Sequence, residues 1–240
     1  MFLIRHPLRG VLLIFTTLIP SLLLFSLSPL DTGLQAQFHV PQGHAWLVDR
    51  NDRLLRWLFY DGVKLIYVLL VLGCWIALGL SFRRASRLRG MRWRLLVVCL
   101  SLTLSPITVG ALKATTEMPC PKQLQMYGGK MPHVTILQRL TGQAPHLKAK
   151  CYPAGHASGG FALMSLMFLF SSPVWQRRML WLGLATGWII GSYKMLIGDH
   201  FFSHTWITML WDGQLILLIG WLVSRWRHQS LEAFLQQSPD

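Results

Sequence analysis

The chain has 240 residues, of which 52% are hydrophobic and only 13% are charged. A soluble domain usually carries about a quarter charged residues, so this composition excludes an ordinary soluble protein and indicates a membrane protein. The formal net charge of +14 would suit nucleic-acid binding, but many basic residues flank apolar stretches, where membrane topology and anionic head groups explain them better. We therefore expect the membrane, and no nucleic acid, as a partner.

Six apolar stretches have about the length needed to cross a bilayer, roughly 17–25 residues. They lie at about residues 11–30, 65–82, 95–112, 157–176, 179–197 and 205–224. The first is longer than the apolar part of a signal peptide, and no clean small-x-small cleavage site follows it, so we interpret it as an uncleaved helix. The pattern predicts an all-α, polytopic membrane protein with six transmembrane helices in one domain, residues 1–240.

Basic residues beside short loops predict the orientation, because cytoplasmic loops carry an excess of Lys and Arg. The segment RRASRLRGMRWR, between the second and third stretches, holds six Arg in twelve residues. Pairs of Arg flank the other predicted cytoplasmic ends: Arg5 and Arg9, Arg177 and Arg178, and Arg225 and Arg227. We therefore predict a bacterial inner (cytoplasmic) membrane protein with both termini in the cytoplasm and with segments 31–60 and 113–156 on the periplasmic side.

The stretch DRNDRLLRWLF within the first outer segment alternates Arg with Leu and Trp. Such a pattern is typical of an amphipathic helix that lies at the membrane interface. The alternative is that this stretch is simply the start of the second transmembrane helix. The sequence leaves both interpretations open.

Two of the four cysteines lie in the second outer segment. Cys120 and Cys151 would face a compartment that is oxidising in bacteria. A disulfide between them closes a loop of about thirty residues, worth ~3–4 kcal/mol on the chain-entropy model. Two free thiols, or pairing with a partner protein, are the alternatives. Cys74 and Cys99 lie in the middle of predicted spans and are expected to be small buried hydrophobes.

Three polar clusters stand at outward-facing helix ends: KATTEMPCP from Lys113, CYPAGHAS around His156, and KMLIGDHFFSHT from Lys194. Ionisable groups at membrane depth are costly and are functional candidates. Two Lys supply fixed positive charge for a phosphate, and a helix entry with a small Gly155 lets backbone N–H groups approach it. One His can attack phosphorus while a second protonates the leaving alkoxide. The set suits metal-free phosphoryl transfer.

A metal site is the competing interpretation of the same residues. His200 and His204 are four residues apart and could hold one ion on a helix. Acidic ligands are few, however, and no pair of His with a helical Glu between them occurs. We therefore expect no metal and no cofactor.

The three clusters resemble the three signature motifs of the type 2 phosphatidic acid phosphatase (PAP2) superfamily, which are K-x6-R-P, then P-S-G-H, then S-R-x5-H-x3-D. The first motif corresponds to Lys113 through Pro121, and the second to residues 153–156, which read PAGH. The third corresponds to Lys194, His200 and His204. Order, spacing and helix placement agree over about residues 95–215, and the sequence around the cysteines is similar to that of a proteobacterial subgroup.

This resemblance implies a six-helix membrane enzyme with its site at the membrane surface and without a metal. By match, His200 is the nucleophile that forms a phosphohistidine, and His156 is the general acid. Lys113 and Lys194 would hold phosphate oxygens, helped by the Gly155 amide. The implied substrates are lipid phosphates or diphosphates.

Four positions depart from the family pattern, and each loses a specific group: Cys120 stands for Arg, Ala154 for Ser, Lys194 for Arg, and His204 for Asp. The last departure concerns the residue that would orient the nucleophile through its second ring nitrogen. Asp199 or Asp212 could substitute, and we favour Asp212, which follows His204 by two turns on the same helical face. A structural hydrogen bond from Asp212 to Thr208 or to a neighbouring helix is the alternative.

The sequence thus predicts an integral membrane lipid phosphatase, a monoester or diphosphate hydrolase whose catalytic set is His200, His156, Asp212 and His204. Lipid A, an undecaprenyl carrier and phosphatidylglycerol phosphate are the candidate substrate types. Two alternatives stay open. One is a lipid phosphotransferase on the same scaffold, in which an acceptor lipid resolves the phosphohistidine. The other is a non-catalytic relative that binds lipid phosphates.

Overall fold

The computed structural model describes residues 7–40 and 45–236, with the side chains of residues 16–40 and 46–236. This part of the chain is helical, which confirms the all-α prediction. Its α-helices are α1 (Pro7–Leu27), α2 (Leu30–Ala36), α3 (Arg53–Arg56), α4 (Gly62–Leu80), α5 (Arg92–Thr116), α6 (Ile136–Leu140), α7 (Gly155–Ala162), α8 (Pro173–Leu196), α9 (Phe202–Trp226) and α10 (Leu231–Gln236). Two short strands, β1 (His39–Val40) and β2 (Ala45–Trp46), pair antiparallel.

The amphipathic stretch before α4 belongs to the second span. The Asp52 side chain caps α3, because its Oδ1 accepts a hydrogen bond of 2.9 Å from the Leu55 N–H. A π-helical turn, Trp57–Asp61, then joins α3 to α4, so that one helix runs from Arg53 to Leu80 over 28 residues. The stretch is therefore the start of this helix and not a separate interfacial one.

Three helices in the described part are long and apolar enough to cross a membrane: Arg53–Leu80, Arg92–Gln123 and Phe202–Trp226. A fourth candidate is the pair Thr16–Leu27 and Leu30–Ala36, which is bent by 65°. The predicted fourth stretch forms a shorter apolar helix, Gly155–Leu169, whose second part is a 3₁₀-helix. The predicted six crossings remain a prediction, since three or four candidate spans are found among the described residues.

The loop predicted between the fourth and fifth stretches has a different position. Arg177 and Arg178 lie inside α8, which starts at Pro173 because Pro is well accommodated in the first turn of a helix. Arg5 and the chain termini, on which the predicted orientation partly depends, fall outside the described residues.

Small residues let the helices around α7 approach closely. A Cβ at Gly160 would lie 2.6 Å from the Cα of Gly187 on α8, and one at Gly191 would lie 2.3 Å from Cγ2 of Thr205 on α9. Such contacts are typical of helix packing in membranes, where van der Waals contact replaces the hydrophobic effect. They bring the end of α8 and the starts of α7 and α9 together.

A disulfide joins Cys120 to Cys151, with Cα atoms 5.2 Å apart, a distance that supports the predicted pair. The Cys151 N–H also donates a hydrogen bond of 2.9 Å to the Met118 carbonyl. The long segment after α5 is thereby tied to the chain that enters α7. Cys74 and Cys99 are free and buried, as expected.

Candidate active site

The structure brings the predicted site residues of three separate helix ends to one place. Lys113 lies in the last turn of α5, His156 in the first turn of α7, and Lys194 in the last turn of α8. His200 lies in the turn that joins α8 to α9, and His204 in the first turn of α9. The polar clusters meet because each of these helices begins or ends at the same level.

The turn between α8 and α9 places His200. Gly198 has a left-handed backbone with φ of 72°, and the Trp46 ring packs so closely that a Cβ at Gly198 would lie 2.2 Å from it. The N–H groups of Asp199 and His200 donate to the Lys194 carbonyl over 2.8 and 3.2 Å. The backbone therefore folds back over the end of α8.

His200 and His204 form a buried imidazole pair, in which the two Nδ1 atoms lie 3.3 Å apart. The ring of His204 also interacts with the backbone of Cys151, whose N–H is donated to Met118, so the Cys151 carbonyl is the available acceptor. A neutral imidazole carries one N–H and one acceptor nitrogen. A His204 that donates from Nε2 towards this carbonyl accepts at Nδ1, and His200 then donates from Nδ1 and keeps a lone pair on Nε2.

This pair gives His204 the position of an orienting group. It lies where the family pattern has Asp, and its acceptor nitrogen can fix the tautomer and the ring angle of His200. Among the described residues, no contact of Asp212 with either histidine is found. Asp212 instead accepts a hydrogen bond of 3.3 Å from Ser158 on α7, as in the structural alternative.

Two lysines supply the positive charge of the site. The Lys113 ammonium lies against the start of α7, 3.8 Å from the position that a Cβ of Gly155 would take. The Lys194 ammonium lies 3.1 Å from Asp199 Oδ2 and 4.5 Å from the centre of the Tyr60 ring. The backbone near Gly155 is thus open to a ligand that both ammoniums can contact.

Asp199 is the counterion of Lys194. The other carboxylate oxygen of Asp199 pairs with Lys122. Burial raises the pKa of Asp199, but Lys122 and Lys194 outweigh it and hold the pKa below its usual range. Asp199 therefore holds Lys194 in place and does not contact the histidine pair through a hydrogen bond in the described part. Lys122 and Tyr60 were not among the residues predicted from the sequence. Lys122 directly follows the first motif, and this position was the one signal that could have indicated it.

His156 stands at the opening of the site, with its ring 4.8 Å from that of Tyr60 and its side chain open to the adjoining cavity. The surrounding protein lowers its pKa to about 4, first by desolvation and then through Lys194 and Lys113. The pKa of His200 is lowered well below its usual value, first by burial and then by His204. Both rings are therefore neutral near pH 7 in the free protein. A histidine that acts as a nucleophile, as predicted for His200, has to be neutral.

The start of α7 is fixed to α9 by the backbone N–H of Ala154, the residue directly before the helix. The Ala154 N–H donates to the Thr208 hydroxyl over 2.8 Å and to the His204 carbonyl over 3.2 Å. The side chain of Ala154, which replaces a Ser of the family motif, is fully buried. The next amide, that of Gly155, is the one placed to face a ligand held by Lys113.

An apolar cavity of about 520 Å³ begins at His156 and runs between α4, α5, α7 and α8. Tyr67, Leu163 and Ile190 line it. A cavity of this size lies in the usual range for ligand sites, roughly 300–1,000 Å³. The arrangement offers apolar surface for a hydrocarbon chain beside a cationic, histidine-containing site.

In the part of the chain that the structure describes, no group of three or more His, Cys, Asp and Glu side chains is arranged to hold a metal ion. The family model described as PAP2 superfamily matches residues 94–230, more than half of the chain. No curated protein and no solved structure matches. The matched range contains Lys113, His156 and His200, and excludes the stretch before α4.

Proposed function

We propose, because this chain belongs to the PAP2 superfamily, that it is a membrane phosphatase that removes phosphate from a lipid phosphate or diphosphate. In this proposal His200 is the nucleophile and His156 the general acid. Lys113, Lys194 and the Gly155 amide hold the phosphate oxygens. The observation that carries the proposal is the 3.3 Å contact between the His200 and His204 Nδ1 atoms; with His204 as the acceptor, the lone pair of His200 lies on Nε2.

The first step transfers the phosphoryl group to the protein. The Nε2 lone pair of His200 forms a bond to phosphorus while the bond between phosphorus and the lipid oxygen breaks. His156 must carry a proton to give to that oxygen. An arriving phosphate supplies the negative charge that offsets the two lysines, so it raises the pKa of His156 and favours its protonation.

The second step returns the site to its starting state. Water attacks the phosphohistidine, the bond between nitrogen and phosphorus breaks, and neutral His156 takes the proton of that water. His204 accepts the Nδ1–H of His200 throughout and stabilises the positive charge that develops on its ring.

Lipid substrates are supported by the apolar cavity that begins at His156 and by the helices long enough to cross a membrane. Lipid A, undecaprenyl phosphates and phosphatidylglycerol phosphate all combine a phosphate with apolar chains, so each belongs to the proposed substrate class. The flanking Arg residues support an outward, periplasmic site in a bacterial inner membrane.

The test uses purified full-length protein in detergent micelles with a ³²P-labelled lipid phosphate. We expect free phosphate, an acid-labile protein-bound label in the wild type, and loss of at least about a thousandfold in rate for His200→Ala. His146→Ala, an exposed loop variant, is the matched control. Label that moves to a second lipid would instead identify a phosphotransferase. No release or transfer from any lipid phosphate would reject both activities.

A further inference from the structure

A second cavity, polar and about 420 Å³ in volume, adjoins the site at His156 and Lys194. Arg50, Asn51 and Arg56 line it from the stretch before α4, and Lys194 and Asp199 line it from the end of α8. Its volume lies within the range of roughly 300–1,000 Å³ that is usual for ligand sites. Position and lining make it a candidate subsite of the same substrate.

The two cavities meet at two side chains. Tyr60 and His156 line both the polar cavity and the apolar one. A ligand that passes His156 can therefore have a polar part on the arginine side and a hydrocarbon part on the other. Along such a ligand, the reacting phosphate comes first, a second polar group follows it, and the apolar chain comes last.

Positive charge exceeds negative charge around the polar cavity. Asp199 is already shared by Lys122 and Lys194, and Arg56 pairs with Asp61 over 3.1 Å at an exposed position. No ion pair of Arg50 is found among the described residues, although it lies close enough to act electrostatically on Lys194. Guanidinium groups bind phosphate through two parallel N–H donors.

The leaving group lies on the His156 side of the reacting phosphorus, because His156 protonates it. In a lipid diphosphate this group is a lipid monophosphate, so its phosphate comes directly after the protonated oxygen. In a monoester the apolar chain would come there instead, and the arginine side would have no anion to bind. The arginines lie outside residues 94–230, the range matched by the family model.

We infer that Arg50 and Arg56 form an anion subsite for the second phosphate group of a lipid diphosphate. This inference rests on the proposed function. The terminal phosphorus bonds to His200 Nε2, its bond to the bridging oxygen breaks, and the His156 proton passes to that oxygen. The lipid monophosphate that results carries its phosphate between the arginines and its chain past Tyr60 in the apolar cavity.

The kinetic test compares an isoprenyl diphosphate with the monophosphate of the same chain length, using full-length protein in detergent micelles. For the double variant Arg50→Gln/Arg56→Gln we expect the ratio of kcat/KM, diphosphate over monophosphate, to fall about 10- to 100-fold. Arg53→Gln is the matched control, since Arg53 lies on the same helix but does not line the cavity. An unchanged ratio in the double variant overturns the inference.

A binding test separates this inference from the proposed function. In a His200→Ala background, calorimetry measures the Kd of inorganic pyrophosphate and of inorganic phosphate, with and without the two arginine substitutions. We expect the pyrophosphate Kd to rise about tenfold or more and the phosphate Kd to change less. Equal weakening of both probes would mean an unspecific charge effect, or a site for the phosphate product, and overturns the subsite. If the wild type hydrolyses neither lipid, the proposed function fails, and the pyrophosphate result still decides the subsite.

Discussion

The Nδ1 atoms of His200 and His204 lie 3.3 Å apart, and the backbone of Cys151 interacts with the His204 ring. With His204 as the acceptor, this arrangement places the proton of His200 on Nδ1. It explains how a His can occupy the position at which the family motif has Asp, because either residue offers an acceptor to the Nδ1–H. It also connects the nucleophile to the disulfide through Cys151.

Replacing the acceptor nitrogen should impair catalysis more than it impairs folding. His204→Phe keeps the ring against Tyr152 and Phe201 but offers no acceptor, so we expect kcat to fall about 10²- to 10⁴-fold. His204→Asn places a carbonyl oxygen near the lost nitrogen and should retain kcat within about tenfold of the wild type. Steady-state kinetics on the labelled lipid measures both. Equal activity of the Phe variant and the wild type would contradict the orienting role.

Binding of a dianion should take up a proton through His156. The pKa of this ring is lowered to about 4 in the free protein, so the ring is neutral at pH 7. A bound dianion offsets Lys113 and Lys194 and raises that pKa, so a proton is taken up in the complex. Sulfate is a suitable probe because it does not titrate near pH 7. Calorimetry in buffers of different ionisation enthalpy should give a net uptake in the wild type and a clearly smaller one in His156→Gln. Identical values for the two proteins would show that another group responds.

Loss of the disulfide should reduce both stability and turnover. The double variant Cys120→Ser/Cys151→Ser is expected to lose about 2–5 kcal/mol of unfolding free energy. It should also lose activity, because the backbone of residue 151, which adjoins the His204 ring, is no longer fixed to residue 120 by the disulfide. Thermal unfolding and phosphate release measure the two effects. Reductant should reproduce them in the wild type and add nothing in the variant, and free alkylatable thiols in the untreated wild type would reject the bridge.

Substitutions of Asp212 and of His204 should differ sharply in their effects on kcat and on stability. The hydrogen bond from Ser158 to Asp212 ties α9 to α7 inside the bundle. Asp212→Asn is therefore expected to lower the thermal midpoint while reducing kcat by less than about threefold. A loss in kcat as large as that of His204→Phe, at unchanged stability, would restore the catalytic role that the sequence analysis favoured.

Local sequence patterns predicted the features that depend on local physics. Apolar stretches and their flanking Arg indicated a helical membrane protein, because hydrocarbon thickness sets a minimum helix length. The spacing from Lys113 through His204 indicated the superfamily, and the family model confirms it. The pairing of Cys120 with Cys151, which the sequence favoured, is the one found in the structure. The helix boundary near Arg177 was predicted wrongly, because charged side chains within the first two turns of α8 do not interrupt the helix.

The sequence by itself indicated the helical class, the family, the favoured pairing of Cys120 with Cys151 and the set of ionisable residues at helix ends. The tertiary structure alone decided their contacts, since a tautomer and a counterion depend on atoms that are distant along the chain. The Cys151 backbone adjoins the His204 ring, Asp199 pairs with Lys122 and Lys194, and Asp212 accepts a hydrogen bond from Ser158. Helical spacing puts Asp212 and His204 on the same face of α9 and does not distinguish their roles. The packing of α7 against α9 does, because it gives Asp212 a partner in Ser158.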